Sequence, residues 1–544
     1  MATLGQISAL LVVIFSILLA YGAAKPPDSG QPYMLVCSFF AVFVAISALI
    51  IWECCLYPGV YSPLRDLPKP PGNTLMSSQF HERLREPVGQ PFREWINNIP
   101  NDGIIRYLDV MNIERLVVTK PKALAEVLVH KSYEFIKPRS SSSGIGRMFG
   151  IGLLLAEGEE HKIQRRHLSP AFARQRIQDF YPLFWTKSKY LIDALIVDSC
   201  HAPDEPEKSI DMCEWMSRAT LDIISVAGIG QEFNSIQDPD SGIYQTYQKL
   251  FKPGYTTRLM GQMGFIIPGW ALRNIPIARK GTIGYTIKLV KRICRSAVQR
   301  AKSNPSAASC RGSSLLSIVL ASGGFTDEGL VDQLMIFLVA GHEPTASALS
   351  WCIAMLCKHP EIQAKLRAEI RSGLPNPRTT IYSIAANEFD TLPYLNAVCN
   401  ETLRLFPPAP LTVRVATKDT TLLDHFIPKG THVYIPPWAV NVSLELWGED
   451  ALEWNPERWI GDMRSNNSGG ATSDYAFLTF LQGERRCIGE GFARGEMKVL
   501  LAALISTFEM DFAEGGWSGG VKNGMTAKPK DLMVRLKVVD EGWK

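Results

Sequence analysis

Cys487 lies in the stretch FLTFLQGERRCIG, Phe477 to Gly489, with Phe480, Gly483 and Arg485 before it and Gly489 two residues after. A cysteine binds metal or attacks carbon as the thiolate, and adjacent arginines favour that form. Glycines supply the backbone freedom of a tight turn and let main chain approach a flat ligand. An arginine at that turn can grip a carboxylate through two parallel hydrogen bonds. These are the requirements of a loop beneath a haem iron. The bland alternative is an arginine-rich surface turn holding an incidental cysteine, and the coincidence of so many fixed positions argues against it.

Two more groups of residues carry chemistry. Glu401 and Arg404 in ETLR are spaced i, i+3 on one helix face, and Arg458 in PERW can complete a buried carboxylate–guanidinium cluster. AGHEPT, Ala340 to Thr345, places glycine, acid, proline and hydroxyl together inside a helical pattern where plain packing favours Leu or Ala. The other cysteines bring the total to 11, an odd number with no C-x-x-C pair. That excludes a disulfide framework, a zinc site and an iron–sulfur cluster, and it suits a reducing compartment.

Thr326 to Lys358 is the longest helical pattern, with Asp327 and Glu328 in its first turn and His359-Pro360 at its end. A helix of that length crosses a whole domain and forms its spine. Residues 104–110 and 114–120 read as paired strands, followed by a helix opening on Pro121. Residues 201–208 and 302–314 read as surface loops, and the apolar run 263–277 as core. Hydrophobic residues make up 46% and charged residues 20%, enough for a large core; the net charge of +4 excludes a nucleic-acid partner on electrostatic grounds.

Residues 2–24 and 33–52 carry no charged side chain, and each is long enough to span a bilayer. Residues 1–64 therefore read as a membrane anchor of one or two transmembrane helices, 65–73 as a proline-rich connector, and 74–544 as one large domain. A cleaved signal peptide is the competing reading, weakened by the missing basic start and by the second apolar segment.

Taken together, the cysteine loop, ETLR, PERW and the long helix with AGHE resemble the membrane-bound cytochromes P-450, haem-thiolate monooxygenases of the eukaryotic microsomal type. The double leader and the wording FLVAGHE resemble fungal members, which often act in secondary metabolism. The resemblance implies a mainly α fold with small β-sheets (α+β), a single haem domain behind the anchor. It makes Cys487 the axial thiolate of haem b (iron protoporphyrin IX), with Phe480, Gly483 and Gly489 shaping its loop. Arg485, Arg414 and Arg165 are expected to hold the propionates. His161 is expected to join them, standing where the family often has Trp. Ala340 and Gly341 would face the haem. The family's usual threonine position holds Pro344 here, so Glu343, Thr345 and an ordered water would deliver protons, with a substrate hydroxyl as the alternative donor and a bond to a backbone carbonyl as the plain role of Thr345. Glu401, Arg404 and Arg458 become a structural cluster.

Only 57 residues follow Cys487, so electrons from NADPH are expected through a separate cytochrome P-450 reductase, with cytochrome b5 as an optional second donor. Arg486, Arg494 and Lys498 form the expected docking face. The expected substrate is a small apolar molecule that meets residues 132–153, Phe337, Ala340, 409–413 and 515–520. The expected setting is the endoplasmic reticulum membrane, with the body facing the cytosol. Two other functions fit the same residues: a haem-thiolate isomerase or dehydratase without a redox cycle, and a non-catalytic membrane haem or lipid binder.

Overall fold

The computed structural model describes residues 43–72, 89–138, 148–199, 208–240, 242–248, 282–303, 314–379, 384–461 and 468–539, with single positions between them. The first apolar segment, the run 263–277 and most of the two expected loops lie outside the described residues. The longer helices are α1 (Gln90–Asn98), α2 (Gly158–Leu168), α3 (Tyr181–Ser199), α4 (Met212–Ile229), α5 (Thr282–Ser303), α6 (Asp327–Lys358), α7 (Pro360–Gly373), α8 (Pro393–Leu405) and α9 (Glu490–Thr507).

Helix α6 is the expected spine. Thr326 caps it by accepting from the Gly329 N–H at 3.1 Å, and two acids stand in the first turn where the helix dipole favours them. Its 32 residues reach about 48 Å. It runs unbroken through Pro344, and nearly every residue from Leu330 to Cys357 is buried. Helix α4 lies along it. A Cβ on Gly341 would stand 2.7 Å from Ile224 Cγ1, so the glycine sets how closely α4 approaches.

Strands β1 (Ile104–Leu108) and β2 (Glu114–Val118) pair antiparallel as expected, each stopping two residues short of the sequence reading. With β3 (Phe135–Ile136), β5 (Thr412–Ala416) and β8 (His432–Ile435) they form a sheet in the order β1-β2-β8-β5-β3. Strands β4 (Ile210–Asp211), β9 (Phe508–Phe512) and β12 (Met533–Val538) make a second sheet; β6 (Thr420–Leu422) pairs with β7 (His425–Ile427), and β10 (Val521–Asn523) with β11 (Ala527–Pro529). The helix expected from Pro121 is an α-turn, Pro121–Ala125, that widens to π geometry over Glu126–His130. The fold is thus mainly helical with small sheets.

Phe43–Tyr61 forms one helix long and apolar enough to cross a membrane, and it is largely unburied. Its last turns, Trp52–Tyr61, widen to π geometry and contain Pro58. Carbonyls there are also gripped from β1 and the turn after it: Arg106 Nη2 donates to Pro58 O at 2.6 Å, and Asn112 Nδ2 to Cys54 O at 2.6 Å. Arg106 in turn pairs with Glu114 at 2.8 Å, and Glu114 accepts from the Ser62 hydroxyl at 2.6 Å.

Candidate active site

The cysteine loop closes on itself. The Cys487 N–H donates to Phe480 O at 2.9 Å and the Arg486 N–H to Gly483 O at 3.0 Å, while Leu481 (φ 57°) and Gly483 (φ 75°) turn the chain through the left-handed region. A Cβ on Gly483 would lie 2.2 Å from the Leu128 carbonyl oxygen, so only glycine fits there. Gly489 is different. Its φ of −88° suits any residue, and a Cβ would meet Phe172 at an ordinary 3.9 Å. Its N–H instead faces the Cys487 sulfur.

Cys487 is the exposed one among the described free cysteines, and the rest are buried or half-buried. Its sulfur is reachable, yet enough protein surrounds it that burial pushes the thiol up; the Gly489 N–H, Arg165 and Arg486 oppose this and favour thiolate. No three His, Cys, Asp or Glu side chains stand together as a metal site among the described residues. A lone thiolate suits a metal whose remaining positions come from its own macrocycle.

Around the loop stands a collar of basic groups. Arg485 reaches Glu157 with Nη2 and lies over the Tyr133 ring at 5.0 Å, while its Nε and Nη1 are buried without a hydrogen-bond partner. Arg414, buried on β5, spends Nη1 on the Thr412 hydroxyl and the Val413 carbonyl, both at 2.9 Å. Arg165 on α2 donates to the Arg486 carbonyl at 2.6 Å. His161, one helical turn earlier, is buried with Nδ1 3.1 Å from the Tyr133 hydroxyl. Lys137 completes the group and was not legible in the sequence. It donates to the Leu154 carbonyl, and its charge bears on both His161 and Arg414's neighbourhood.

The consequence is mutual repulsion. Burial, then Arg485, Lys137, Arg165 and Arg414, pushes His161 down to about 4. Burial, then Arg414 and Arg485, pushes Lys137 down to about 7, with Glu157 alone opposing. Arg414 is pushed down to about 10 by burial and Arg485. Arg485, Arg414, Arg165 and Lys137 face only Glu157 and, beside Tyr133 and Arg165, Glu484; with two guanidinium nitrogens unsatisfied, the site is short of negative charge. The two propionates of haem fit that deficit.

Helix α6 offers the flat face. Within its buried length Ala340 is exposed and Gly341 and Pro344 are half-exposed. Phe337, one turn before Ala340, meets the Phe172 ring at 5.6 Å, and Phe172 lies against Gly489, so α6 and the cysteine loop face each other across that ring. Residues 151–153, at the end of the expected substrate loop, press on the same helix: Ile151 and Leu153 N–H donate to Asp332 and Gln333 at 3.1 Å.

Glu343 and Thr345 are placed on different sides. Glu343 lies about 60° around the helix axis from Ala340, and it accepts from Lys528 Nζ at 3.0 Å and Thr526 Oγ1 at 3.1 Å. Thr345 lies about 140° from Ala340. It is buried and bonds the Gly341 carbonyl at 3.3 Å. It also faces Glu496 of α9, a fully buried carboxyl held well above the usual range by burial.

Away from the collar, Glu401 is shared by Arg404 (2.8 Å), Arg458 (3.0 Å), Trp459 Nε1 (2.9 Å) and the Asn455 N–H (2.9 Å). Arg404 spends its remaining donors on the carbonyls of Asn441, Ala451 and Glu453, and Arg458 reaches Asp450 and Gly469. On the expected docking face, Arg486 and Arg494 both pair with Glu490, and Lys498, mostly buried, lies 3.4 Å from Asp390.

A reachable cysteine on a closed loop, a flat helix face opposite and a cationic collar define a haem-thiolate fold. A family profile for cytochrome P-450 matches residues 70–531. A cytochrome P-450 monooxygenase of Aspergillus fumigatus, sphH, is 42% identical over 513 residues, covering 92% of each chain. One from Alternaria alternata is 38% identical over 555 residues, covering 91% of this chain and 92% of its own. One from Gibberella moniliformis is 38% identical over 518 residues, covering 87% of each. The chain belongs to the cytochrome P-450 family, and it is a haem-thiolate monooxygenase.

Proposed function

We propose that Cys487 would hold the iron of haem b, and that this chain oxidises a small apolar molecule of fungal secondary metabolism. The electrons come from NADPH through a separate reductase, with cytochrome b5 as an optional second donor. Bound haem supplies the activation of O₂ and the insertion of one oxygen atom into the substrate. Arg485, Arg414, Arg165, His161 and Lys137 hold its two carboxylates; Gly483 and Phe480 keep the loop closed beneath it. Ala340 and Gly341 let helix α6 lie close to the ring, and Phe337 helps keep water out. Glu343 and Thr345 move protons, with Thr345 acting through the Gly341 turn and Glu496. Residues 1–64 anchor the chain in the endoplasmic reticulum membrane, residues 65–73 connect, and the body from residue 74 faces the cytosol.

The observation that carries the reading is Arg485, buried with two unsatisfied donors in a collar where cations outnumber carboxylates. The test is the reduced carbon monoxide spectrum of the full chain and of Cys487→His. The wild type is expected to give the red-shifted thiolate band and the variant to lose it with haem still bound. A band that survives the substitution refutes the ligand assignment. Reductase-driven NADPH consumption, raised by metabolite fractions of the source fungus, then checks the monooxygenase chemistry.

A further inference from the structure

Glu343 is buried inside the domain, and both of its oxygens are engaged by one short stretch far along the chain. Lys528 Nζ lies 3.0 Å from Oε2 and the Thr526 hydroxyl 3.1 Å from Oε1. Between those two, the Ala527 carbonyl accepts from Ser347 Oγ and Trp351 Nε1, each at 2.7 Å. Glu343, Ser347 and Trp351 are spaced i, i+4, i+8, one stripe of α6. The residues 526–528 are thus stitched along that stripe, and the Ala527 N–H ties the same strand to Pro408 O at 3.1 Å, beside the stretch 409–413. Ahead of the hairpin, Gly515 (φ 70°) and Gly519 (φ 85°) form bends that only glycine adopts freely. Trp517 between them packs edge-on against Trp351 at 5.7 Å.

We infer that Lys528 is a positioning residue for Glu343: the β10–β11 hairpin sets where this carboxylate points, so proton supply follows the hairpin. This rests on the proton-moving role proposed for Glu343. A carboxylate bound only by its own helix would be indifferent to the hairpin. This one receives both hydrogen bonds from it, and the glycine bends give the hairpin the freedom to shift. The stretches 409–413 and 515–520, both expected at the substrate, adjoin the same strand. Occupancy of the pocket then reaches Glu343 through main chain and one lysine, with no movement of α6. The other groups facing Glu343 are His342 of its own helix, 3.9 Å away and bonded to the Ser217 hydroxyl at 2.8 Å, and Tyr247 of the short helix Gly242–Gln248.

The test uses the full-length, haem-loaded enzyme with reductase and NADPH and no added substrate. NADPH and O₂ consumed and peroxide released are measured together across pH 6–9, giving the ratio of oxygen reduced to water against oxygen released as peroxide. Lys528→Met is expected to lower that ratio roughly tenfold and to flatten its pH dependence, as Glu343→Gln does. The double variant adds nothing further, and Lys528→Arg restores the wild-type profile. Hydrogen exchange of residues 521–529 in the resting enzyme is expected to speed up in both single variants. A wild-type ratio and pH profile in Lys528→Met overturns the inference, as does an arginine variant no better than the methionine one. Failure of the parent reading is distinct: the wild type would then lack the red-shifted carbon monoxide band, or Glu343→Gln would leave the ratio unchanged.

Discussion

Glu401 with Arg404 and Arg458, and Glu157 with Arg485, Arg414, Lys137 and His161, both gather arginines around a carboxylate inside the domain. They differ in what is left over. In the first, five N–H donors from four residues converge on Glu401, and the arginines' remaining donors find backbone carbonyls and the Asp450 carboxylate. In the second, Arg485 keeps two buried donors without a partner, and the cations depress one another. A cluster closed by protein holds the fold; one that protein leaves open awaits a ligand. Motif knowledge names members of both clusters, but only the residual hydrogen-bonding capacity tells which has which job.

The sharpest way to break this comparison is at Glu401. Glu401→Gln leaves Arg404 buried without a carboxylate, while Arg458 keeps Asp450, and is expected to cost about 3 to 5 kcal/mol of stability. Urea unfolding and the yield of haem-loaded protein measure it; a variant that folds and loads normally would erase the distinction. Arg485→Leu is expected to do the reverse. It removes a buried, under-satisfied charge, so the melting temperature of the haem-free chain holds or rises, while haem affinity falls roughly 10- to 100-fold. A stability loss like that of Glu401→Gln would make the collar structural as well.

Lys137 gives a smaller and pH-dependent effect. Its folded value of about 7 lies below its usual 10.5, so between those values the unfolded chain holds more protons than the folded one. Stability of the haem-free chain is therefore expected to rise with pH through that window, and Lys137→Met should remove this rise. Binding a dianion restores the lysine charge, so haem uptake near pH 8 takes up a proton in the wild type and less in the variant. Calorimetry in two buffers of different ionisation enthalpy reads the difference. The smallest effect belongs to Thr345→Val: haem content is expected to stay intact while the water-to-peroxide ratio drops severalfold. An unchanged ratio removes Thr345 from proton delivery.

What was legible in the sequence was local. Cys487 with Gly483 and Arg485, the pair Glu401–Arg404 and the cap Thr326 each act across a few residues, and their spacing survives as geometry. Lys137, Glu157 and Tyr133 gave no signal, because they meet the cysteine loop only when β3 and the start of α2 fold against it. Lys528 lies 185 residues from Glu343 and is read only from the docked hairpin. Gly489 was read as a turn glycine, but its φ is one that any residue adopts, and the surviving reason for it is the N–H aimed at sulfur. Arg486, Arg494 and Lys498 were read as the docking face; Arg486 and Arg494 pair with Glu490 and Lys498 lies near Asp390, which leaves Arg486 the most exposed of the three.

Arg106 and Asn112 take the carbonyls of Pro58 and Cys54 at the foot of the apolar helix, with Glu114 and Ser62 closing the joint. A leash would let the body roll and tilt on whatever surface holds its end. This joint behaves as a bracket. Four side chains hold the body to the foot of that helix, so the body turns wherever the helix turns.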